Sequence, residues 1–195
     1  VTDYNYDGLA TRLKELSYLN SGVRIILTDE RGEEKSQVFQ FQGGISSFVE
    51  ELAKTKEPIH PQPILISKSF EEEGIGVDIA IQWTNDFRET LLCFANNIRN
   101  RDGGTHETAF KQALTRIVNT YATQENLLKN FKGQISGEDI REGVVAIVSV
   151  KLPNPTFSNQ TKDKLLNNNI TPCINAAMTQ CMTQWLEESP NEAKV

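Results

Sequence analysis

The stretch VVAIVSVKL, residues 144–152, constrains the fold of this chain more than any other. It is β-branched and apolar almost without a break. Alternate residues of a strand point to opposite faces, so such a strand carries apolar side chains on both and needs cover on both. It is therefore expected at the centre of a sheet. A chain of 195 residues that is 38% hydrophobic and 24% charged holds enough apolar material for the core this strand demands, and disorder is excluded on composition. The length suits one domain.

The rest of the chain supplies partners for that strand. Leu9, Leu13 and Leu16 recur at helical spacing, and Asn20, Ser21 and Gly22 end that helix. VRIILTDERGEEKSQVFQF reads as a β-hairpin with Arg31-Gly32 near its turn. Ile45, Phe48, Val49 and Leu52 mark a short helix, which Pro58 keeps from extending. PILISKSF and IGVDIAIQW flank the acidic turn EEEG, and Val77, Ile79, Ile81 and Trp83 alternate onto one face. RETLLCFANNI is a further strand. Phe110, Ala113, Leu114, Ile117, Val118 and Tyr121 form the clearest helical stripe, and SGEDIREG is a short polar helix or turn. The last helix is expected to start at Thr171 with Pro172 in its first turn. Its stripe is Ile174, Ala177, Met178, Cys181, Met182, Trp185 and Leu186, and residues 189–195 are expected to fray. Strand pairs joined by tight turns predict an α+β fold, a mostly antiparallel sheet with helices packed on one face.

Composition narrows function. The formal net charge of −6 argues against a free-standing nucleic-acid binder, though not against a local basic patch. The cysteines, Cys93, Cys173 and Cys181, make no CxxC pair. On one helix Cys173 and Cys181 would lie ~12 Å apart along the axis, too far to bridge. Buried thiols in a reducing, cytoplasmic compartment are expected. No apolar run reaches membrane-spanning length, no signal peptide is visible, and a chain beginning at Val1 reads as a piece cut from a longer protein. His60, between prolines, and His106, at a helix start, have no cluster of partners at metal-ligand spacing and are expected to be structural or surface residues. GxSxG, HExxH and GxxxxGK[ST] are absent, so an autonomous enzyme is not expected.

Two stretches remain as candidates. In RNRDGGTHETAFK, Gly103 and Gly104 feed a helix N-terminus whose free N–H groups suit an anion, with Arg99, Arg101, Lys111 and Arg116 nearby. The plainer alternative is a turn and a solvated helix face. In FSNQTKDKL, an extended backbone would point Gln160 and Lys162 the same way, a lysine charge and an amide donor both suited to a phosphate. The plainer alternative is a solvated loop.

A resemblance bears on both. LSYLNSGVRIILTDER, GGISSFVEELAKTKEPIHP, GIGVDIAIQW, CFANNIRNRDGGTHETAFKQALTR and DIREGVVAIVSVKLPNPTFSNQTKDKL together resemble the transducer domain of the DNA gyrase B family, in order and over essentially the whole chain. The DGGTH and FSNQTKDKL blocks are highly specific to bacterial type II topoisomerases. The corresponding B chain of topoisomerase IV is the closest relative family, and LNSGV and FVEELAKTKEPIHP look more like gyrase.

The resemblance implies a two-layer α/β sandwich like the second domain of ribosomal protein S5, with a left-handed crossover. It implies that residues 1–195 are a transducer domain following an ATPase domain that holds the ATP pocket, the Mg²⁺-binding Asn and the Glu general base. Gln160 and Lys162 would reach the γ-phosphate of ATP, with Lys162 also stabilising charge in phosphoryl transfer and Thr161 shaping the loop. Arg101 and Lys111 would line a cavity for a passing DNA segment. Arg99, which stands where relatives often carry Pro, is placed with them as a third basic residue of that cavity. ATP and Mg²⁺ would serve the parent, with neither expected on this fragment. DNA, the gyrase A protein and a second copy of gyrase B would be the parent's partners, and the fragment itself a monomer. The loop around Lys162 is expected to be mobile without its ligand. Rival expectations are a topoisomerase IV transducer, a stand-alone nucleic-acid-binding module on the same fold, and a purely structural interaction domain.

Overall fold

A computed structural model describes residues 3–195. Its elements are α1 (Tyr6–Leu19), β1 (Ile25–Asp29), β2 (Lys35–Phe39), α2 (Ile45–Ala53), β3 (Ile64–Phe70), β4 (Ile75–Trp83), β5 (Thr90–Ala95), β6 (Ile98–Arg99), α3 (Thr105–Gln124), α4 (Gly137–Arg141), β7 (Val144–Lys151), α5 (Ile170–Glu188) and α6 (Pro190–Ala193). β1 and β2 form a separate two-stranded ribbon. The main sheet runs in the order β3-β4-β7-β5-β6. Its pairings are antiparallel except β5 with β7, which is parallel. The fold is α+β with a mainly antiparallel sheet, as the strand spacing predicted.

β7 lies at the centre, and Val144 to Val150 are all buried. Directly opposed residues share a face, so the register sorts the core into two. Val77↔Val150, Ile79↔Val148 and Ile81↔Ala146, with Cys93 and Ala95 of β5, face one side. There they meet Ala109, Phe110, Ala113, Leu114 and Ile117 of α3, and Ile174, Ala177, Met178 and Met182 of α5. A fully buried Phe110 or Leu114 is worth about 2–3 kcal/mol on transfer alone.

The expectation of helices on one face holds only for α3 and α5. Ala80, Val145, Ile147 and Phe94 point to the opposite face and are covered by Ile45, Val49 and Ala53 of α2 and by Leu19 of α1. The cause lies in β7 itself: Val145 and Ile147 would otherwise be exposed. Stacked rings extend this layer, with Tyr18 4.8 Å from Phe48 and 3.9 Å from Phe41.

Two boundaries differ from expectation. α5 starts one residue early, at Ile170, with Pro172 still in the first turn, where a missing N–H is harmless. The end of the chain does not fray as a whole: Pro190–Ala193 form α6, and Ala193 packs on the core. Proline near the start of a helix presets its φ, and α6 follows that rule.

Candidate functional site

The two candidate stretches form one assembly. After β6, residues Asn100 to Gly104 turn into α3, with Gly103 at φ 68° and Gly104 at φ 142°. After β7, Asn96 clamps the chain: its Nδ2 donates to the Leu152 carbonyl at 3.0 Å, and Leu152 N–H donates to its Oδ1 at 2.9 Å. Residues 156–166 then fold back on themselves through a Phe157↔Leu165 bridge, with Ser158 N–H donating to Lys164 O at 3.0 Å.

The folded-back loop docks on the glycine turn. Leu165 N–H donates to Gly103 O and Thr105 N–H donates to Leu165 O, each at 3.1 Å. Asp102 N–H donates to Asp163 O at 2.8 Å, and Thr105 Oγ1 donates to Asn167 O at 2.6 Å. Gly103 and Gly104 are buried. They are not a flexible turn before an open helix end: the Leu165 carbonyl already takes the Thr105 N–H that an anion would use.

The tip is a tight turn rather than the extended segment the i, i+2 argument assumed. Lys162 N–H donates to Asn159 O at 3.2 Å, with Gln160 and Thr161 at the corner. Asn159 and Asp163 brace it. Asn159 Nδ2 donates to Asp163 Oδ2 at 2.8 Å, Asp163 N–H donates to Asn159 Oδ1 at 3.1 Å, and the Thr161 hydroxyl donates to the Asp163 carboxylate. Those bonds, from Thr161 first and then Asn159, hold the Asp163 carboxyl below the usual carboxylate range. This bonding opposes the mobility expected of the backbone. Freedom remains in the side chains of Gln160 and Lys162, which are exposed. Lys162 Nζ stands 5.8 Å over the Phe157 ring and has no carboxylate ion-pair partner among the described residues. A cation presented without a counter-ion is free to take an anion.

Arg99 and Arg101 are exposed or nearly so and line a groove with Arg12, Thr161 and Asp163. Lys111 lies elsewhere, lining a groove on α3 with Arg116 and Arg141. Its Nζ is 2.6 Å from Glu107 Oε1 and 3.6 Å from Glu89 Oε1, and Glu89 also pairs with Arg141. Partial burial pulls the Lys111 pKa down, but the two carboxylates outweigh it and leave the pKa raised. Its charge is largely spent inside the chain.

Both histidines are buried and neutral. His60 Nδ1 donates to Gln62 O at 2.8 Å while Nε2 accepts from Trp83 N–H at 3.0 Å, and burial lowers its pKa. His106 Nε2 donates to Asn100 Oδ1 at 3.0 Å, and burial lowers its pKa to about 4. Among the described residues no group of three or more His, Cys, Asp or Glu is set to hold a metal, and no helix is long and apolar enough to cross a membrane.

Asn100, Asn159 and Asp163 build this site and were not among the expected residues. Asn159 and Asp163 carried a signal, since Asn and Asp commonly bond nearby backbone in turns. Asn100 carried none within its polar run.

A model of the DNA gyrase B family matches residues 44–195, from the glycine before α2 onward. The chain belongs to the DNA gyrase B family. It is 46% identical over 193 residues to the DNA gyrase B protein of Halalkalibacterium halodurans, covering 99% of this chain and 30% of that protein. It is 44% identical to the DNA gyrase B protein of Rickettsia prowazekii, covering 98% of this chain and 24% of that protein. The chain thus spans about a quarter to a third of these family members. Among solved structures, the 43K ATPase domain of Thermus thermophilus gyrase B, in complex with an aminocoumarin, superposes with a TM-score of 0.88 at 36% identity, over 98% of this chain and 50% of that one. The topoisomerase IV ATP-binding domain of Francisella tularensis shares the fold, with a TM-score of 0.82 at 24% identity.

Proposed function

We propose that this chain is the transducer portion of a gyrase B protein, and that it couples the nucleotide state of a neighbouring ATPase domain to DNA strand passage and supercoiling. The observation that carries this reading is the Lys162 turn, which presents one unpaired cation and one amide donor from a braced backbone. Gln160 and Lys162 would meet the γ-phosphate of ATP. Opposite charges 4 Å apart are worth about 1 kcal/mol in water and about 4 kcal/mol near a protein surface. A contact that exists with the γ-phosphate and is lost after hydrolysis supplies a differential energy of that order, which is what a domain rotation requires. Lys162 would also offset charge in phosphoryl transfer.

Mg²⁺ and the general base would belong to the ATPase domain of the parent. Arg99 and Arg101, with Lys111 as a weaker member, would touch the phosphates of a passing DNA segment without reading its sequence. A second copy of gyrase B and the gyrase A protein would complete the enzyme. The test is ATP turnover by the full-length parent protein with Lys162→Ala. A drop of about a hundredfold or more is expected, and unchanged turnover and nucleotide affinity would reject the phosphate contact.

A further inference from the structure

Lys162 is not held by its own loop alone. Its backbone is left-handed, at φ 60°, a conformation that a lysine adopts only where the surroundings fix it. The bonds around Asn159 and Asp163 set the turn on either side of Lys162. The Lys162 carbonyl itself accepts from Asn100 Nδ2 at 2.7 Å, across 62 residues of sequence.

Asn100 is buried, at 3% exposure, and its amide has one orientation that satisfies both ends. Nδ2 donates to Lys162 O, so Oδ1 is left to accept from His106 Nε2. His106 is fully buried at the start of α3, and its Nδ1 has no hydrogen-bond partner among the described residues. With Nε2–H turned to Asn100, the neutral ring leaves Nδ1 as a bare lone pair, which is cheaper to bury than a charged ring. The chain His106–Asn100–Lys162 O therefore has one direction of donation throughout. It fixes the amide plane of Lys162, and with it the direction in which the Lys162 side chain leaves the backbone.

We infer that Asn100, oriented by His106, is a positioning residue for Lys162: it aims the lysine at the phosphate and ties the loop to the start of α3. This inference rests on the phosphate-contact reading of Lys162. Neither Asn100 nor His106 touches nucleotide; each acts through Lys162.

A double-mutant cycle on ATP turnover by the full-length parent protein tests it, using Asn100→Leu, Lys162→Ala and the pair. If Asn100 acts through Lys162, Asn100→Leu alone slows turnover by about tenfold or more, and adding it to Lys162→Ala costs nothing further. A general structural role would give additive losses. Asn100→Ala guards against misfolding: it removes the donor to Lys162 O without adding bulk or charge to the buried site, and circular dichroism and melting curves show whether each variant is folded at the assay temperature. It should reproduce the Asn100→Leu loss in the folded protein. Full activity of Asn100→Ala, or additive losses in the cycle, overturns the inference while leaving the phosphate contact standing. Full activity of Lys162→Ala overturns both.

Discussion

Gly104 and Leu165 lie in such close parallel contact that no side-chain carbon fits between them. A Cβ on Gly104 would stand 2.6 Å from Leu165 N, closer still to Leu165 O, and 2.8 Å from Leu165 Cβ. The start of α3 and the Lys162 loop are thus joined backbone to backbone.

Gly104→Ala is expected to destabilise the chain by roughly 3 kcal/mol, combining overpacking with strain at φ 142°. Urea unfolding would show it as a lowered midpoint with an unchanged slope. Gly32→Ala is the control: it also has positive φ, but no atom of the described residues lies within 4 Å of the added carbon, so it should cost less.

Acid should weaken the fold through its histidines. His106 has a folded pKa of about 4, and His60 is lowered as well. An unfolded histidine titrates near about 6.5. Between those values the unfolded chain binds more protons, so stability is fully present above about pH 6.5 and declines as pH falls toward 4. His106 alone accounts for about 3 kcal/mol over that window. Melting temperatures measured from pH 7 to pH 5 should fall, and His106→Gln should flatten the slope.

The thiols should separate by burial. Cys93 and Cys173 are buried, and desolvation raises the pKa of each, whereas Cys181 is half-buried on α5. A thiol reagent should label Cys181 in the native chain and all three cysteines in urea. Rapid native labelling of Cys93 would contradict the packing of β5 against α3.

The basic residues should not be equivalent on DNA. Each phosphate contact removed lowers the salt slope of binding by about one. Arg99→Ala and Arg101→Ala should each do so in the parent protein. Lys111→Ala should change affinity less, because Glu107 and Glu89 already pair with that charge. An equal loss for all three would mean that Lys111 leaves its carboxylates when DNA arrives.

What the sequence disclosed follows from the range of each signal. The apolar run from Val144 to Val150, broken only by Ser149, announced a central strand, and the stripe from Phe110 to Tyr121 announced α3, because both patterns are local. The second covered face was harder to see. Asp78 and Gln82 alternate with the apolar residues of β4 and made that side look solvated, although Val145 and Ile147 already required a cover. At the candidate site Gln160 and Lys162 stood out by residue type, but the geometry assumed for them was extended and the chain turns there. The link from Asn100 to Lys162 spans 62 residues and has no local pattern to betray it.

The parallel pairing of β5 with β7 has a kinetic consequence. Hairpins such as β3–β4 and helices such as α3 need only near neighbours to form. β7 must wait until the chain through β6, α3 and α4 has closed back on β5, and non-local closures of that kind slow folding. The Lys162 turn comes later in the chain than β7 and docks on the turn before α3, so it too depends on contacts far apart in sequence. The docking bonds of the Lys162 turn are therefore expected to open before the helices and hairpins do, which earlier hydrogen exchange at the Leu165 and Thr105 amides would show.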